Sequence, residues 1–486
     1  MSDSTYRLTI GGESVEGAAG TYDIVNPATE EVTGRAPEAS VDQANAAVEA
    51  AAEAFPAWSR TTPEERAELL DRAADLIEAH RKEIVPVLQA ETGATARTVK
   101  SMQFFPATAR LRRYAKGALE PTITPLPPAV MPTTPLAPGG LISAVANRQP
   151  VGVVTCITSY NVPMTNMAGK IGPALAMGNT VIVKPAPQDP LGVLRMVELM
   201  NEAGFPPGVV NVVTGQDIAP SEAVVAHPAT DMVSFTGSTG VGQRIGAVCG
   251  SQMKRQLMEL GGKGACIVFD DADLKAAIGG ISSVWGFHSG QICTSPTRVI
   301  VQRGVYDALV GGLQKAAGHM KVGDPTDPDT VVGPVITGAH RERIEGYVRT
   351  GIDEGATVAV GGGRGGFDTG FYVEPTLLVD CTNEMTPVRE ELFGPVVVVV
   401  PVDDEDEAVA IANDSDYGLY SYVFSGDTSR AWNVARQLRS GNVGINSLQR
   451  NHEAPFGGFK QSGVGRDGGS YGLLAYSELQ SIVWPS

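Results

Sequence analysis

Apolar residues recur along this chain in two rhythms. From residue 150 onward, short valine- and isoleucine-rich runs alternate with longer segments of helical period. "VGVVTCI", "GKIGPALAMG", "TVIVKPA", "LGVLRMVELMNEAG", "VVNVVTG", "MVSFTGS" and "TGVGQRIGAV" follow one another. Strands alternating with helices at this spacing predict a parallel sheet covered on both faces. Such a sheet binds ligands at the C-terminal ends of its strands. After 260 the alternation resumes through "GACIVFD", "TRVIVQ" and "VVVVVPV".

The first 120 residues read differently. "YRLTIGGESVEG" alternates and turns like a small hairpin, and residues 42–57 are an alanine-rich helix. In "TTPEERAELLDRAADLIEAHRKEI", Thr62, Pro63 and Glu65 supply an N-cap, a first-turn proline and a capping-box partner. Leu69, Ala73, Leu76 and Ile77 then share one predicted face. Residues 121–140 hold seven prolines, which excludes a helix interior or a central strand. That segment is either a linker or an extended arm lying on another surface. "LISAVANRQPVGVV" follows it with strand-like composition.

Composition narrows the class. A chain of 486 residues predicts two or three domains. With 37 basic against 54 acidic residues the net charge is −17, a field that repels nucleic acid and anionic membranes. Cys156, Cys249, Cys266, Cys293 and Cys381 are odd in number and form no CxxC pair, which argues against a disulfide framework and against a metal site. The start "MSDSTYRLTI" lacks the basic end and apolar core of a secretory signal, and no apolar run is long enough to span a bilayer. A soluble, cytoplasmic protein is expected.

Five stretches carry candidate chemistry. In "FHSGQICTSPTR", Cys293 sits in a polar, glycine-bounded turn where a thiol can face a cavity. "MELGGKGACIVF" places Glu259 beside an apolar helix end followed by two glycines, where burial beside Cys293 would raise its pKa toward that of a general base. "ITSYNVPMTN" puts Asn161 just past a strand, where its amide can donate to an oxyanion. Lys184 ends the strand of "TVIVKPAPQDP" and can reach a ribose or phosphate. "SFTGSTGVGQRIG" is a glycine turn opening a helix, suited to phosphate, although it is not the GxGxxG fingerprint. Each alone also has a plain structural reading: a core thiol, a capping carboxylate, a turn amide, a solvated lysine, a simple turn.

Their order and spacing are more specific. "NPATEEVTGRAPEAS", "KIGPALAMGNTVIVKPA", "FTGSTGVG", "MELGGKGACIVFDDADL", "GQICTSPTR", "GDPTDPDTVVGP", "EELFGPVVVV" and "APFGGFKQSGVGR" resemble the aldehyde dehydrogenase superfamily from about residue 20 to 485. The resemblance implies an α/β fold with a doubly wound parallel-sheet NAD(P)-binding domain (1–120 and 150–258) and an α/β catalytic domain (259–446). A small β oligomerisation arm with the C-terminal tail (121–149 and 447–486) completes it. It implies a homodimer or homotetramer that oxidises a small-molecule aldehyde to a carboxylic acid with NAD or NADP. Cys293 would be the nucleophile, passing through a thiohemiacetal and a thioester. Asn161 would hold the oxyanion, Glu259 would be the general base, and Lys170 would serve proton relay. Gly237, Ser238 and Gly242 would meet the pyrophosphate, Lys184 the adenosine ribose, and Glu391 the nicotinamide ribose. Phe393 would support the ring, with Tyr160, Leu260 and Gly261 close by.

The chain departs from the family pattern in several places. Ser159-Tyr160 replaces the usual Pro-Trp before the asparagine, and Gly264 stands where Ser, Asn or Ala is commoner. Pro187 stands where many NAD-preferring relatives have Glu, which admits NADP. Val162, Gly169 and Gly286 thin out the aromatic pocket and predict a wide entrance for broad or bulky aldehydes. Arg450 and His452 are expected near that entrance; either they belong to a plain solvated loop, the commoner case, or one of them meets a polar or acidic tail. Two other readings stand beside this one. One is a hydrolase using Cys293 with His288. The other is a binding protein that kept the fold and lost the chemistry.

Overall fold

The computed structural model of the chain describes residues 6–485. Two large sheets face each other across a cleft. The first has eight strands in the spatial order Gly463–Val464, Arg255–Glu259, Met232–Thr236, Val153–Ile157, Thr180–Lys184, Val210–Val212, Leu8–Ile10 and Glu13–Val15. Its five inner strands run parallel, and their apolar runs are buried on both faces by helices. The strands at both edges pair antiparallel. The second sheet has seven strands in the order Thr357–Val360, Thr376–Val379, Val396–Val402, Arg298–Gln302, Ala265–Val268, Tyr420–Phe424 and Asn442–Ile445. All its pairings are parallel except that of the first-named edge strand.

The helix Pro63–Ala79 starts as its sequence dictates: Thr62 Oγ1 accepts from Glu65 N at 3.2 Å, and Glu65 Oε2 accepts from Thr62 N at 2.7 Å. Its core face is rotated slightly from the predicted one. Leu70, Ala73, Ala74 and Ile77 are fully buried, while Leu69 and Leu76 lie at the margin. Two helices, Phe105–Ala118 and Leu191–Glu202, pack on it from different sides, and together they fix the rotation that periodicity left open.

The proline-rich segment is a strand. Ile123–Met131 forms the outer edge of a three-stranded antiparallel sheet with Gly140–Pro150 and Ser477–Pro485. Pro125, Pro127 and Pro128 are tolerated because an edge strand needs ladder donors on one side only, and the register slips between Leu126 and Ala129. Of the tail expected to join this arm from 447 onward, only Ser477–Pro485 pairs with it. Gly463–Val464 extends the first sheet, and the helix Gly469–Ala475 packs on the helix Pro163–Ala176. Buried Tyr476 ties this stretch down, its carbonyl accepting from Asn179 Nδ2 at 2.9 Å. Among the described residues no helix is long and apolar enough to cross a membrane.

Candidate active site

The chemistry-bearing residues of the first sheet all sit at one end of it. Asn161 follows the strand Val153–Ile157, Lys184 ends Thr180–Lys184, Gly237 follows Met232–Thr236, and Glu259 ends Arg255–Glu259. These are the C-terminal ends of parallel strands, where backbone turns outward and a crevice opens. Cys293 precedes the strand Arg298–Gln302, and Glu391 and Phe393 precede Val396–Val402. The second sheet thus presents the N-terminal ends of its strands to the same cleft.

The loop bearing Cys293 is held firmly. His288 and Ser289 have φ of 48° and 54°, strained values for non-glycine residues. They bend the chain so that Gly290 lies directly on the backbone of Gly394, where any Cβ would overlap it. Gln291 Oε1 accepts from Ile336 N at 3.0 Å, and Tyr422 OH donates to Thr294 O at 2.8 Å. Between these clamps, Cys293 is half-buried, whereas the other four cysteines are fully buried. Burial, with the charges of Glu391 and Glu259, pushes its thiol up to about 12, and Arg450 pulls the other way.

Asn161 faces the same loop. Its Nδ2 donates to Gln291 O at 2.9 Å, leaving the second amide hydrogen free. Its Oδ1 accepts from Ser159 Oγ at 2.8 Å, which fixes the NH2 toward Gln291 and Cys293. The residue that departs from the family's proline is therefore the one that orients the amide.

Glu259 is buried, and neither carboxylate oxygen has a hydrogen-bond partner among the described residues. Desolvation, followed by the charge of Asp467, raises its pKa well above the carboxylate range, while Lys170, Arg450 and Arg466 oppose the shift. A Cβ at Gly457 would stand 2.9 Å from its Oε1, so the carboxylate lies against the 456–457 backbone. Lys170 is fully buried. Its Nζ donates to Ser234 Oγ at 3.1 Å, which bonds Tyr476 OH at 2.7 Å, and burial lowers its pKa. His288, the alternative base, is pushed down to about 4 by burial, and its buried Nδ1 has no hydrogen-bond partner among the described residues.

"LGG" at 260–262 stitches the two halves together. A Cβ at Gly262 would overlap the Cys293 carbonyl, and one at Gly261 would overlap Glu391 Oε2, so only glycine permits this approach. Gly262 N donates to Glu391 Oε1 at 2.9 Å, and burial moves the Glu391 carboxyl up to about 7. Phe393 has φ of 55°, and its carbonyl bonds His340 Nε2 at 2.8 Å. Tyr160 packs edge-on against the Phe393 ring at 5.8 Å. Arg343 holds the Glu391 carbonyl at 2.9 Å. His340 and Arg343 escaped the sequence reading because nothing local marks a helix residue that reaches 50 positions along the chain.

The remaining cleft fits a nicotinamide dinucleotide. The helix Thr239–Ser251 opens at Ser238, whose side chain does not cap it, and space above Gly240 is open. Its first amides are therefore available to a phosphate. Gly242 lies directly on Leu260, seating the helix start beside the "LGG" loop. Lys184 is buried with no carboxylate bonded to it; its Nζ donates to Pro185 O at 2.9 Å, and burial lowers its pKa to about 8. A buried cation without a counter-ion suits a ligand rich in hydroxyls and phosphate.

At two of the small pocket positions a neighbouring side chain takes the space. A Cβ at Gly169 would overlap Arg110 Nη1, so a guanidinium occupies the space an aromatic ring would take. At Gly286 the space is filled by Met320 Sδ, 3.0 Å from a Cβ there, and by Val331 and Val332. Val162 is itself buried. Small residues open a cavity only when no neighbour moves in, and here long side chains from distant segments do.

Known proteins resemble the chain over nearly its whole length. A family model described as "Aldehyde dehydrogenase family" matches residues 14–482. A betaine aldehyde dehydrogenase of Mesorhizobium japonicum is 39% identical over 464 residues, covering 94% of this chain and 93% of its own. The solved structure of a Staphylococcus aureus betaine aldehyde dehydrogenase in complex with NAD+ has a TM-score of 0.93 at 36% identity, covering 99% of this chain and 95% of its own. An E. coli NADP-dependent enzyme has a TM-score of 0.93 at 34% identity, covering 99% and 98%.

Proposed function

The chain belongs to the aldehyde dehydrogenase family and is an NAD(P)-dependent aldehyde dehydrogenase, and from that premise we propose that Cys293, Asn161 and Glu259 carry out the oxidation of an aldehyde to a carboxylic acid. The observation that carries this reading is convergence at one cleft. A half-buried thiol, an oriented amide with a free hydrogen and an unpartnered buried carboxylate border it.

The residues divide the work. Cys293 Sγ attacks the aldehyde carbon and forms a thiohemiacetal. Its oxygen takes hydrogen bonds from Asn161 Nδ2 and from the Cys293 N–H. An oxidised nicotinamide, when bound, would supply the acceptor for the hydride that leaves the carbon, and a thioester on Cys293 would remain. Glu259 then takes a proton from the water that attacks the thioester, and the acid departs. The balance is one aldehyde and one water converted to one carboxylic acid, two electrons and the accompanying protons. Lys170, with its charge felt at Glu259 and its contact to Ser234, takes the outlet for that proton. Gly237, Ser238 and Gly242 would hold the pyrophosphate and Lys184 the adenosine ribose. Glu391 would hold the nicotinamide ribose, with Phe393, Tyr160 and Leu260 shaping the ring site.

The test is a panel of aldehydes with both cofactors, read by absorbance of the reduced nicotinamide. Aldehyde-dependent signal is expected. Ester cleavage without it would select a hydrolase, and silence in both assays would mean the chemistry has been lost. Asn161→Ala is expected to slow the first turnover by about 10²- to 10³-fold with cofactor binding retained. Pro187→Glu, three residues past Lys184, places a carboxylate where a 2′-phosphate would lie. It is expected to raise the KM for NADP about tenfold more than that for NAD.

The three-stranded arm completes the reading. Ile123, Leu126, Val130, Leu141, Leu479 and Val483 are exposed on it. An apolar sheet of this kind in a −17 protein fits burial against a second copy of the chain. Truncation after Ala475 is expected to lower the mass measured by light scattering to that of a smaller assembly.

A further inference from the structure

Two guanidinium groups near the substrate end of the cleft have no anionic partner. Arg450 lies 3.7 Å above the Phe456 ring and makes no hydrogen bond or ion pair among the described residues. Stacking satisfies the face of the guanidinium and leaves its N–H edge free. Arg110 gives one N–H to Thr165 O at 3.0 Å and makes no ion pair among the described residues. Other arginines of the described chain do carry ion pairs. Arg112 pairs with Asp75 and Glu78, Arg195 with three glutamates, and Arg430 with Asp270, Asp271 and Glu405. The acidic residue nearest in sequence to Arg450, Glu453, is held by Arg113 at 2.6 and 2.8 Å.

Both groups lie beside the reacting atoms. Thr165 and Gly169, the residues Arg110 touches, share one face of the helix Pro163–Ala176, and Asn161 lies two residues before its start. Phe456, on which Arg450 stacks, is adjacent to Gly457, which lies against the Glu259 carboxylate. The charge of Arg450 is felt at Cys293 and Glu259, and Arg110 and Arg450 repel each other. His452 stands exposed within reach of both charges. Two unpaired cations facing one another are costly until an anion bridges them, and Arg matches a carboxylate with two parallel N–H donors.

Resting on the aldehyde-oxidising reading of the same cleft, we propose that Arg110 and Arg450 form a receptor for a carboxylate at the far end of the substrate, so that the preferred substrate is an anionic aldehyde, an oxo acid with the aldehyde at one end and the carboxylate at the other. Gly169 then has a specific purpose: it lets Arg110 into the space where a larger side chain would make the wall neutral.

The experiment compares three sets of aldehydes of matched size: succinic semialdehyde and 4-carboxybenzaldehyde, neutral butanal and benzaldehyde, and an aldehyde bearing a trimethylammonium group. For the wild-type protein, kcat/KM is expected to favour the anionic member over the neutral one by at least about tenfold, and over the cationic one by about a hundredfold. Added salt is expected to erode the first preference. Arg450→Gln and Arg110→Gln are each expected to lower the anionic-to-neutral ratio at least about tenfold, through KM. Inhibition of the wild-type protein by succinate against butanoate gives a reading that needs no variant, with succinate expected to bind more tightly. Equal or better use of neutral or cationic aldehydes would overturn the proposal. So would an unchanged ratio in both variants. No reduced nicotinamide with any aldehyde would instead overturn the underlying activity, and this inference with it.

Discussion

Cys293→Ala is expected to abolish aldehyde-dependent reduction of the nicotinamide, with kcat falling by at least about 10⁴-fold while cofactor binding, followed by fluorescence, persists. The size of the effect follows from the other four thiols. Cys156 is fully buried and pushed up to about 12, Cys266 is pushed still higher, and Cys381 is raised to about 11 and faces the Val379 carbonyl. Cys249 is buried as well. None can substitute. The Cys293 thiol is itself pushed up to about 12, so little thiolate exists at neutral pH in the free protein. A bound nicotinamide carries positive charge in its oxidised form, and an opposite charge nearby lowers a thiol pKa. Alkylation of Cys293 by iodoacetamide is therefore expected to be slow at pH 7 and faster once oxidised cofactor is added. A rate that does not change would remove the electrostatic coupling from this account.

Glu259→Gln is expected to separate the two halves of the reaction. The first turnover should proceed, giving a burst of about one reduced nicotinamide per subunit. Steady-state turnover should then fall by about 10²- to 10⁴-fold as the thioester waits for unassisted water. Mass spectrometry of the stalled protein should find the acyl adduct on Cys293. The pH profile supplies the sign. Burial raises the Glu259 carboxyl well above the ordinary carboxylate range, and its protonated form cannot accept a proton from water. The base form grows with pH, and the wild-type steady-state rate should climb at higher pH than an ordinary carboxylate would set. The variant should lose that rise while its burst phase keeps its own dependence, which belongs to Cys293. Unchanged steady-state turnover in the variant would assign the base elsewhere.

The parts of the fold encoded locally were legible. Thr62, Pro63 and Glu65 mark a helix start because all three interactions lie within one turn. The valine-rich runs mark parallel strands because a strand covered on both faces has no polar alternation. The prolines of 121–140 exclude a central strand, and they sit on an edge. What could not be read was which neighbour occupies a space. Leu70 and Ala74, rather than Leu69 and Leu76, face the core because two packed helices set the rotation. Gly169 and Gly286 look like vacancies in the sequence and are filled by Arg110 and Met320.

The candidate site divides in the same way. Residue type and local context singled out Cys293, Glu259, Asn161 and Lys184, although Glu259 closes a strand and not the helix expected of it. They did not reveal Ser159 as the group that orients the amide, nor His340 and Arg343 behind Phe393 and Glu391, nor the meeting of Arg110 with Arg450.

By itself the sequence determined the two α/β units, the family, and which groups carry the candidate chemistry, because periodicity, capping and turn glycines act over a few residues. Only the tertiary structure decided the charge of the substrate end and which neighbours fill the small positions, because those depend on side chains reaching across contacts more than 30 positions apart. Close packing leaves room for just one of several possible neighbours at each of them.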